Sequence, residues 1–383
     1  MRVVMLTTSY PRFEGDYYGV FIQNLCRLLS EMGVKISVLA PRCASLNYHE
    51  DSYPVTRFPY LPLRRLETLP EATMRGAPMS RLIQLPAYLA SAGLRTAVAN
   101  AELVHTHSAV PLGFTTSLSC PRRPRVLTCH GSDCTLSKKN PVLATFTRRA
   151  LRKSDRVVAV SDFIKNLAIR LGAKPENTET IYMGVDVKRF HPPKNRVLLK
   201  RRLGIDEGTA VIGTLGRSVP EKRVEELLYA AEIMAGKIDA MFLVGGDGRD
   251  LHRLWELAEK IGLKNIRFLG RVSKPEHFHM LCDLFVLCSP IEGLSTVLQE
   301  AMATGCITVA ANAGGTPELI KNGFNGLLYE PGDIHSLASR LIEAVDRPLL
   351  ANSARTTITR FFDMRRNSQR YLSIYRDLTG REI

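Results

Sequence analysis

Glu292 and Glu300 are separated by seven residues in the stretch SPIEGLSTVLQEAMATG, and a second glycine-rich turn, GGTPEL, follows at 314–319. The run from Asp283 to Ser289 is short and apolar, as suits a buried strand, and Ser295 or Thr296 can cap a helix continuing through Ala303. The first-turn amides of such a helix, Leu294 to Val297, lack intrahelical partners and carry the positive end of its dipole. A phosphate is held at that kind of terminus. Glu300, more than a turn inside the helix, can aim a carboxylate at ribose hydroxyls, and Glu292 at the mouth can accept hydrogen bonds from a hexose. Taken singly, the two residues could equally be a solvated loop glutamate and a helix-surface glutamate. The flanking SP, EG and EAMATG favour the chemical reading.

Arg217 and Lys222 follow Gly216 on the turn after the apolar run Ala210–Leu215, ahead of a helix expected to begin near Glu221. Two cations on one loop can neutralise a departing diphosphate, work that a divalent metal does elsewhere. No D-x-D triplet occurs in the chain, and no metal or cofactor is expected. Gly246, within GGDG at 245–248, allows either close backbone approach to a ligand or a tight strand-to-helix turn. In the first half, His130 ends the strand-like run Arg125–Cys129 and can donate to a sugar hydroxyl or shuttle a proton. Asp133 either joins it or caps the next helix, and Ser161 reads as a helix cap. His105 and His107, near another strand end, read as structural.

These residues need a scaffold that brings strand ends together. Val3–Thr7, a helix from about Val20 to Met32 and Lys35–Ala40 form a βαβ unit. Further strands are expected at 103–105, 125–129, 156–160 and 180–182, which makes the first half a doubly wound α/β domain. HPPKNRVLLKRRLGIDEG, after Arg189, breaks the rhythm as a linker with one short helix would. Five more strands, at 210–215, 240–244, 266–269, 284–288 and 308–311, give a second parallel sheet whose strand ends carry glycine-rich or polar turns. The expected organisation is an N-terminal domain at 1–190, a linker at 191–207, a second domain at 208–362 and a final helical segment at 363–383.

The E-x7-E segment resembles the signature of retaining glycosyltransferases of family four, which adopt the two-domain GT-B architecture of Rossmann-like sheets facing a cleft. The resemblance extends through GRSVPEK at 216–222, VGGDG at 244–248, RFLGRV at 267–272, NGFNGLLYEPGD at 322–333, YMGVDVKRF at 182–190, VVAVSDFIK at 157–165 and CHGSD at 129–133. It implies a nucleotide diphosphate sugar as donor, bound by Gly216, Arg217, Lys222, Gly246, Glu292, Gly293, Leu294, Ser295, Thr296 and Glu300, with backbone groups of Arg271 and Val272 at the nucleobase. It implies that Arg217 and Lys222 meet the diphosphate, that His130 and Glu292 hold the sugar, and that front-face attack proceeds without a covalent carboxylate nucleophile. It also implies that the final helix crosses back to the first domain and that hinge closure excludes water. Gly19, in Gly19-Val20-Phe21, resembles the family's phosphate or acceptor loop, with Tyr18 where a tandem glycine is usual.

With 383 residues and 45% apolar content, the chain can build two cores. The apolar run after Met1 stops at Pro11-Arg12, too short for a signal sequence, and no run is long enough to cross a bilayer. A cytoplasmic protein is expected, either free or peripheral on the inner face of the membrane. The eight cysteines form no CxxC pair and read as reduced, packed thiols. The net charge of +15 asks for an anionic partner, or serves solubility alone. The mixed basic and apolar stretches 54–95 and 147–156 suit an anionic lipid surface and a saccharide or lipid-linked acceptor, like that of cell-surface polysaccharide assembly enzymes. The alternatives are a sugar-nucleotide epimerase or phosphorylase on the same fold, or a basic nucleic-acid binder. The E-x7-E and GGTPEL context argues against the epimerase, no cofactor-lysine segment supports the phosphorylase, and no nucleic-acid module accompanies the charge.

Overall fold

The computed structural model describes residues 1–45, 52–67 and 83–381. Residues 68–82, part of the stretch read as a lipid-facing surface, lie outside them. The chain divides into two compact units, Met1–Met183 with Arg365–Ile383, and Gly184–Met364.

The first unit is built on seven parallel strands: β1 (Arg2–Leu6), β2 (Lys35–Pro41), β3 (Val55–Phe58), β4 (Leu103–His107), β5 (Arg125–Cys129), β6 (Arg156–Ala159) and β7 (Thr178–Thr180), in the order β3-β2-β1-β4-β5-β6-β7. Four of the five β1 residues are buried, because helices cover both faces of a parallel sheet. Helix Val20–Glu31 turns Ile22, Leu25, Cys26, Leu28 and Leu29 inward, a spacing of one to four residues that follows its period. Each large aliphatic side chain buried in this way contributes roughly 1.5–3 kcal/mol. The last helix, Met364–Thr379, packs into this unit through Tyr371 and Tyr375, and ion pairs join Arg365 to Glu31 and Arg370 to Glu179.

The second unit holds six parallel strands: β8 (Ala210–Leu215), β9 (Ala240–Gly245), β10 (Ile266–Gly270), β11 (Leu284–Leu287), β12 (Ile307–Ala311) and β13 (Leu327–Tyr329), in the order β10-β9-β8-β11-β12-β13. Strand order reverses direction between β1 and β4 in one sheet and between β8 and β11 in the other. At such switch points the loops leaving the strand carboxyl ends diverge and open a crevice.

The structure adds β3 and β13, which the sequence reading missed. Both are edge strands of three or four residues, too short for a period to register. The stretch 191–207, read as a linker, carries helix Arg196–Arg202 and is bound into the second unit. There Lys200 is buried, donates to the Thr209 carbonyl and lies 2.6 Å from Asp283. The helix expected near Glu221 begins at Glu225, after a single 3-10 turn at Pro220–Lys222. Proline at the start of that turn and the left-handed Arg223 after it separate the two.

Candidate functional site

In the second unit the loops after β8 and β11 meet at the switch point. Lys222 Nζ donates to Glu292 Oε1 across 70 positions of sequence, and the two side chains remain 27% and 17% exposed. The pair is therefore reachable from solvent and sheltered enough for its charges to act strongly. Arg217, on the same loop as Lys222, is half-buried and enters no ion pair among the described residues. Gly293 and Leu294 form the half-buried approach to helix Thr296–Ala303. Ser295 is the N-cap, its hydroxyl accepting from the Leu298 amide at 3.3 Å, and Thr296 is the first helical residue.

The glycine-rich turn at 314–315 clamps the Glu292 backbone. Gly314 has φ 61°, and a Cβ there would lie 2.2 Å from the Glu292 carbonyl oxygen, which also accepts from the Gly315 amide at 3.0 Å. Only glycine lets the two segments come this close. Gly246 has a comparable role: with φ 118°, its Cβ would lie 1.7 Å from the Gly216 carbonyl oxygen. The glycines of the β8 and β9 loops thus serve an approach of backbone to backbone, which accounts for Gly246 without a ligand. Arg271 is exposed and Val272 half-buried just past the end of β10.

Glu300 projects from helix Thr296–Ala303 with its side chain 21% exposed, and Oε2 lies 3.5 Å from Nε2 of the fully buried His279. Burial works to lower the pKa of His279, but Cys306 and the Glu300 carboxylate outweigh it and hold the pKa above the ordinary histidine value. The pair therefore adds stability in full below the ordinary histidine pKa and loses it as pH rises through the raised one. The sequence reading missed His279, since the two residues sit on separate helices and no local spacing links them.

In the first unit, the loop before helix Val20–Glu31 is organised by buried Asp16. It accepts from Arg12 Nε at 2.7 Å and from the amides of Arg12 and Tyr18. Gly19 is the N-cap, its carbonyl accepting from Ile22 and Gln23. The Phe21 ring lies 5.0 Å from that of His130, which is half-buried at the end of β5. His130 Nε2 is 3.0 Å from His107 Nδ1, with the two rings stacked at 22°. Burial lowers the pKa of His130 to about 4 against the opposing charge of Asp133, and drives that of fully buried His107 well below the ordinary value. Both are neutral near pH 7. His105 is saturated, with Nδ1 at 2.5 Å from Tyr375 Oη and Nε2 at 2.7 Å from Thr128 Oγ1.

Asp133 turns into the protein, 5% exposed, and accepts from the amides of Ala109, Gly131 and Cys134. It lies in the first turn of helix Ser132–Lys139 and ties together the loops that carry His107 and His130. Its ligand-like neighbours Cys129 and Cys134 place their sulfurs within 4.8 Å of the carboxylate, and its oxygens are committed to those three amides. The eight cysteines are all buried.

A family model described as "Glycosyl transferases group 1" matches residues 195–360, and one described as "Glycosyltransferase Family 4" matches 19–189. The chain belongs to the group 1, family four (GT4) glycosyltransferases. It is 28% identical over 393 positions to the N-acetyl-alpha-D-glucosaminyl L-malate synthase of Bacillus anthracis, covering 99% of this chain and 98% of that one. It is likewise 28% identical to the GDP-mannose-dependent alpha-(1-6)-phosphatidylinositol monomannoside mannosyltransferase of Mycobacterium tuberculosis, over 90% of each. The solved structure of Anabaena HepE in complex with UDP and glucose aligns with 99% of this chain and 100% of its own, with a TM-score of 0.79 at 20% identity, a likeness that shows the GT-B fold. The GT4 chain is a nucleotide-sugar-dependent glycosyltransferase of a retaining family. Among its described residues no helix is long and apolar enough to cross a membrane.

Proposed function

We propose that this GT4 enzyme transfers a hexose-type sugar, with retention, from a nucleotide diphosphate sugar on the second unit to a hydroxyl of a lipid-linked or polysaccharide intermediate on the first. The observation that carries this reading is the Lys222–Glu292 pair beside the N-terminus of helix Thr296–Ala303, at the β8/β11 switch point. Lys222 has two further N–H donors for the diphosphate while it orients Glu292, and Arg217 supplies the second cation. Glu300 takes the ribose hydroxyls, Glu292 and His130 hold the hexose, and backbone groups at Arg271 and Val272 meet the base. The bond from the anomeric carbon to phosphate oxygen breaks, the bond to the acceptor oxygen forms on the same face, and the acceptor proton passes to the departing phosphate. No metal is needed. Incubation with a panel of nucleotide sugars should release one nucleoside diphosphate in an acceptor-dependent way; release without transfer from every donor would overturn the reading.

The acceptor side is supported by surface chemistry. Helices Leu85–Val98, Phe114–Ser119 and Pro141–Lys153 pack side by side and expose Leu94, Val98, Leu118, Val142 and Phe146. Arg148, Arg149, Arg152 and Lys153 are exposed on the last of them. Apolar side chains among cations suit an anionic bilayer, where each basic contact contributes about 1 kcal/mol. The mycobacterial relative is named as a phosphatidylinositol monomannoside mannosyltransferase. The protein should co-sediment with anionic vesicles, be released by salt and bind neutral vesicles much less. Charge reversal at Arg64, Arg65, Arg148 and Arg149 should abolish co-sedimentation and leave donor binding intact. Equal recovery with both vesicle types, or none with either, would move the acceptor to a soluble sugar.

A further inference from the structure

The geometry points to His107 as a positioning residue that donates from Nδ1 to His130 Nε2 and thereby fixes His130 as a hydrogen-bond donor through its own Nδ1–H. The inference rests on the reading that His130 meets the sugar, and it decides in which sense. Two neutral imidazoles 3.0 Å apart share one proton, and the heavy atoms alone allow either ring to carry it. The other nitrogen of His107 breaks the tie. Among the described residues His107 Nε2 has no hydrogen-bond partner, and it is buried in a residue only 1% exposed. If His130 donated, His107 would have to carry its proton on Nε2, leaving a buried N–H with nothing to receive it. If His107 donates, Nε2 is a bare lone pair. Orphaned buried N–H groups are the rarer of the two defects, because the desolvated proton has nowhere to go.

The surroundings hold the pair in this arrangement. His105 stacks against His107 with ring centres 4.3 Å apart, and its own nitrogens are taken by Tyr375 and Thr128. It therefore offers His107 a ring face and no acceptor. Asp133 joins the Ala109 amide to the Gly131 turn, so the strand ends carrying the two histidines cannot drift apart without breaking buried hydrogen bonds. The chemical consequence is definite. With Nε2 accepting from His107 and Nδ1 protonated, His130 presents no basic nitrogen to an acceptor hydroxyl. It can donate to a sugar oxygen, and the acceptor proton must leave by the departing phosphate.

The test is the tautomer of His130, read from two-bond nitrogen–proton correlations in 15N-histidine-labelled full-length protein without any donor. Wild type should show His130 protonated on Nδ1. His107→Phe, which removes the donor and keeps an aromatic ring, should move the proton to Nε2; His107→Asn, whose side-chain amide can donate from nearly the Nδ1 position, should keep it on Nδ1. Turnover should fall about tenfold in His107→Phe and recover in His107→Asn, the scale of losing one net hydrogen bond. Wild-type His130 protonated on Nε2 would overturn the inference with no variant needed. So would a His130 tautomer that does not respond to His107→Phe, or turnover that falls equally in both variants. Because the spectra require no sugar transfer, a chain that shows the Nδ1 tautomer but releases no nucleotide from any donor would contradict the proposed reaction and leave the His107–His130 assignment standing.

Discussion

Replacing Lys222 with alanine is expected to lower kcat by ~10²–10³-fold, the usual consequence of removing one preorganised donor to developing charge, while donor affinity changes by only about threefold. Negative charge on the leaving diphosphate grows as the glycosidic bond stretches, so a cation aimed at it acts more on the transition state than on the bound donor. The variant also strips Glu292 of its partner, which by itself could disturb the hexose. A double-mutant cycle with Glu292→Gln separates the two effects. If Lys222 only oriented Glu292, the double variant would be no slower than Glu292→Gln alone. If it also meets the diphosphate, the double variant is slower by most of the Lys222→Ala loss. Steady-state kinetics with calorimetric Kd values decides it, and an increase in Kd with kcat unchanged would show that Lys222 grips only the ground state.

Glu300→Ala should show the opposite division. A carboxylate accepting ribose hydroxyls forms charge-assisted hydrogen bonds worth roughly 1.5–3 kcal/mol, so its loss should raise the donor Kd by ~10–100-fold. Above the His279 pKa, where the pair with Glu300 contributes nothing, folding should be little affected, because the side chain is partly exposed at 21% and the helix retains its Ser295 cap. His279 should reveal itself here. With Glu300 removed, the buried imidazole loses the carboxylate beside it, and its pKa should fall because burial is then opposed by Cys306 alone. Titration calorimetry reads the first effect and histidine NMR the second. An unchanged Kd in a folded variant would make Glu300 a helix-surface residue.

The sequence made the repeating parts of this molecule legible and left the meeting points obscure. Strands β1 and β8 announce themselves as four- to six-residue apolar runs before glycine- or polar-rich turns, and helix Val20–Glu31 by its period. Ser161 and Ser295 act as N-caps, because capping is a local contest that neighbouring residues decide. Edge strands Val55–Phe58 and Leu327–Tyr329 were missed, since three or four residues carry no reliable alternation. The bond between Lys222 and Glu292 was invisible for a different reason: each residue was recognised on its own loop, but 70 positions separate them and only the strand order brings them together. His107 offered a usable signal. Two histidines at i and i+2 on one strand share a face, and β5, which His130 directly follows, is the neighbour of β4.

In the proposed reaction protein groups, rather than a metal, carry the charge of the leaving diphosphate. The direct measurement is initial-rate transfer from the preferred nucleotide sugar by full-length wild-type protein in excess EDTA, repeated with magnesium or manganese in place of the chelator. The same kcat is expected in both conditions, with a ~10²–10³-fold loss in Lys222→Ala whichever is used. Activity abolished by EDTA and restored by either cation would contradict it.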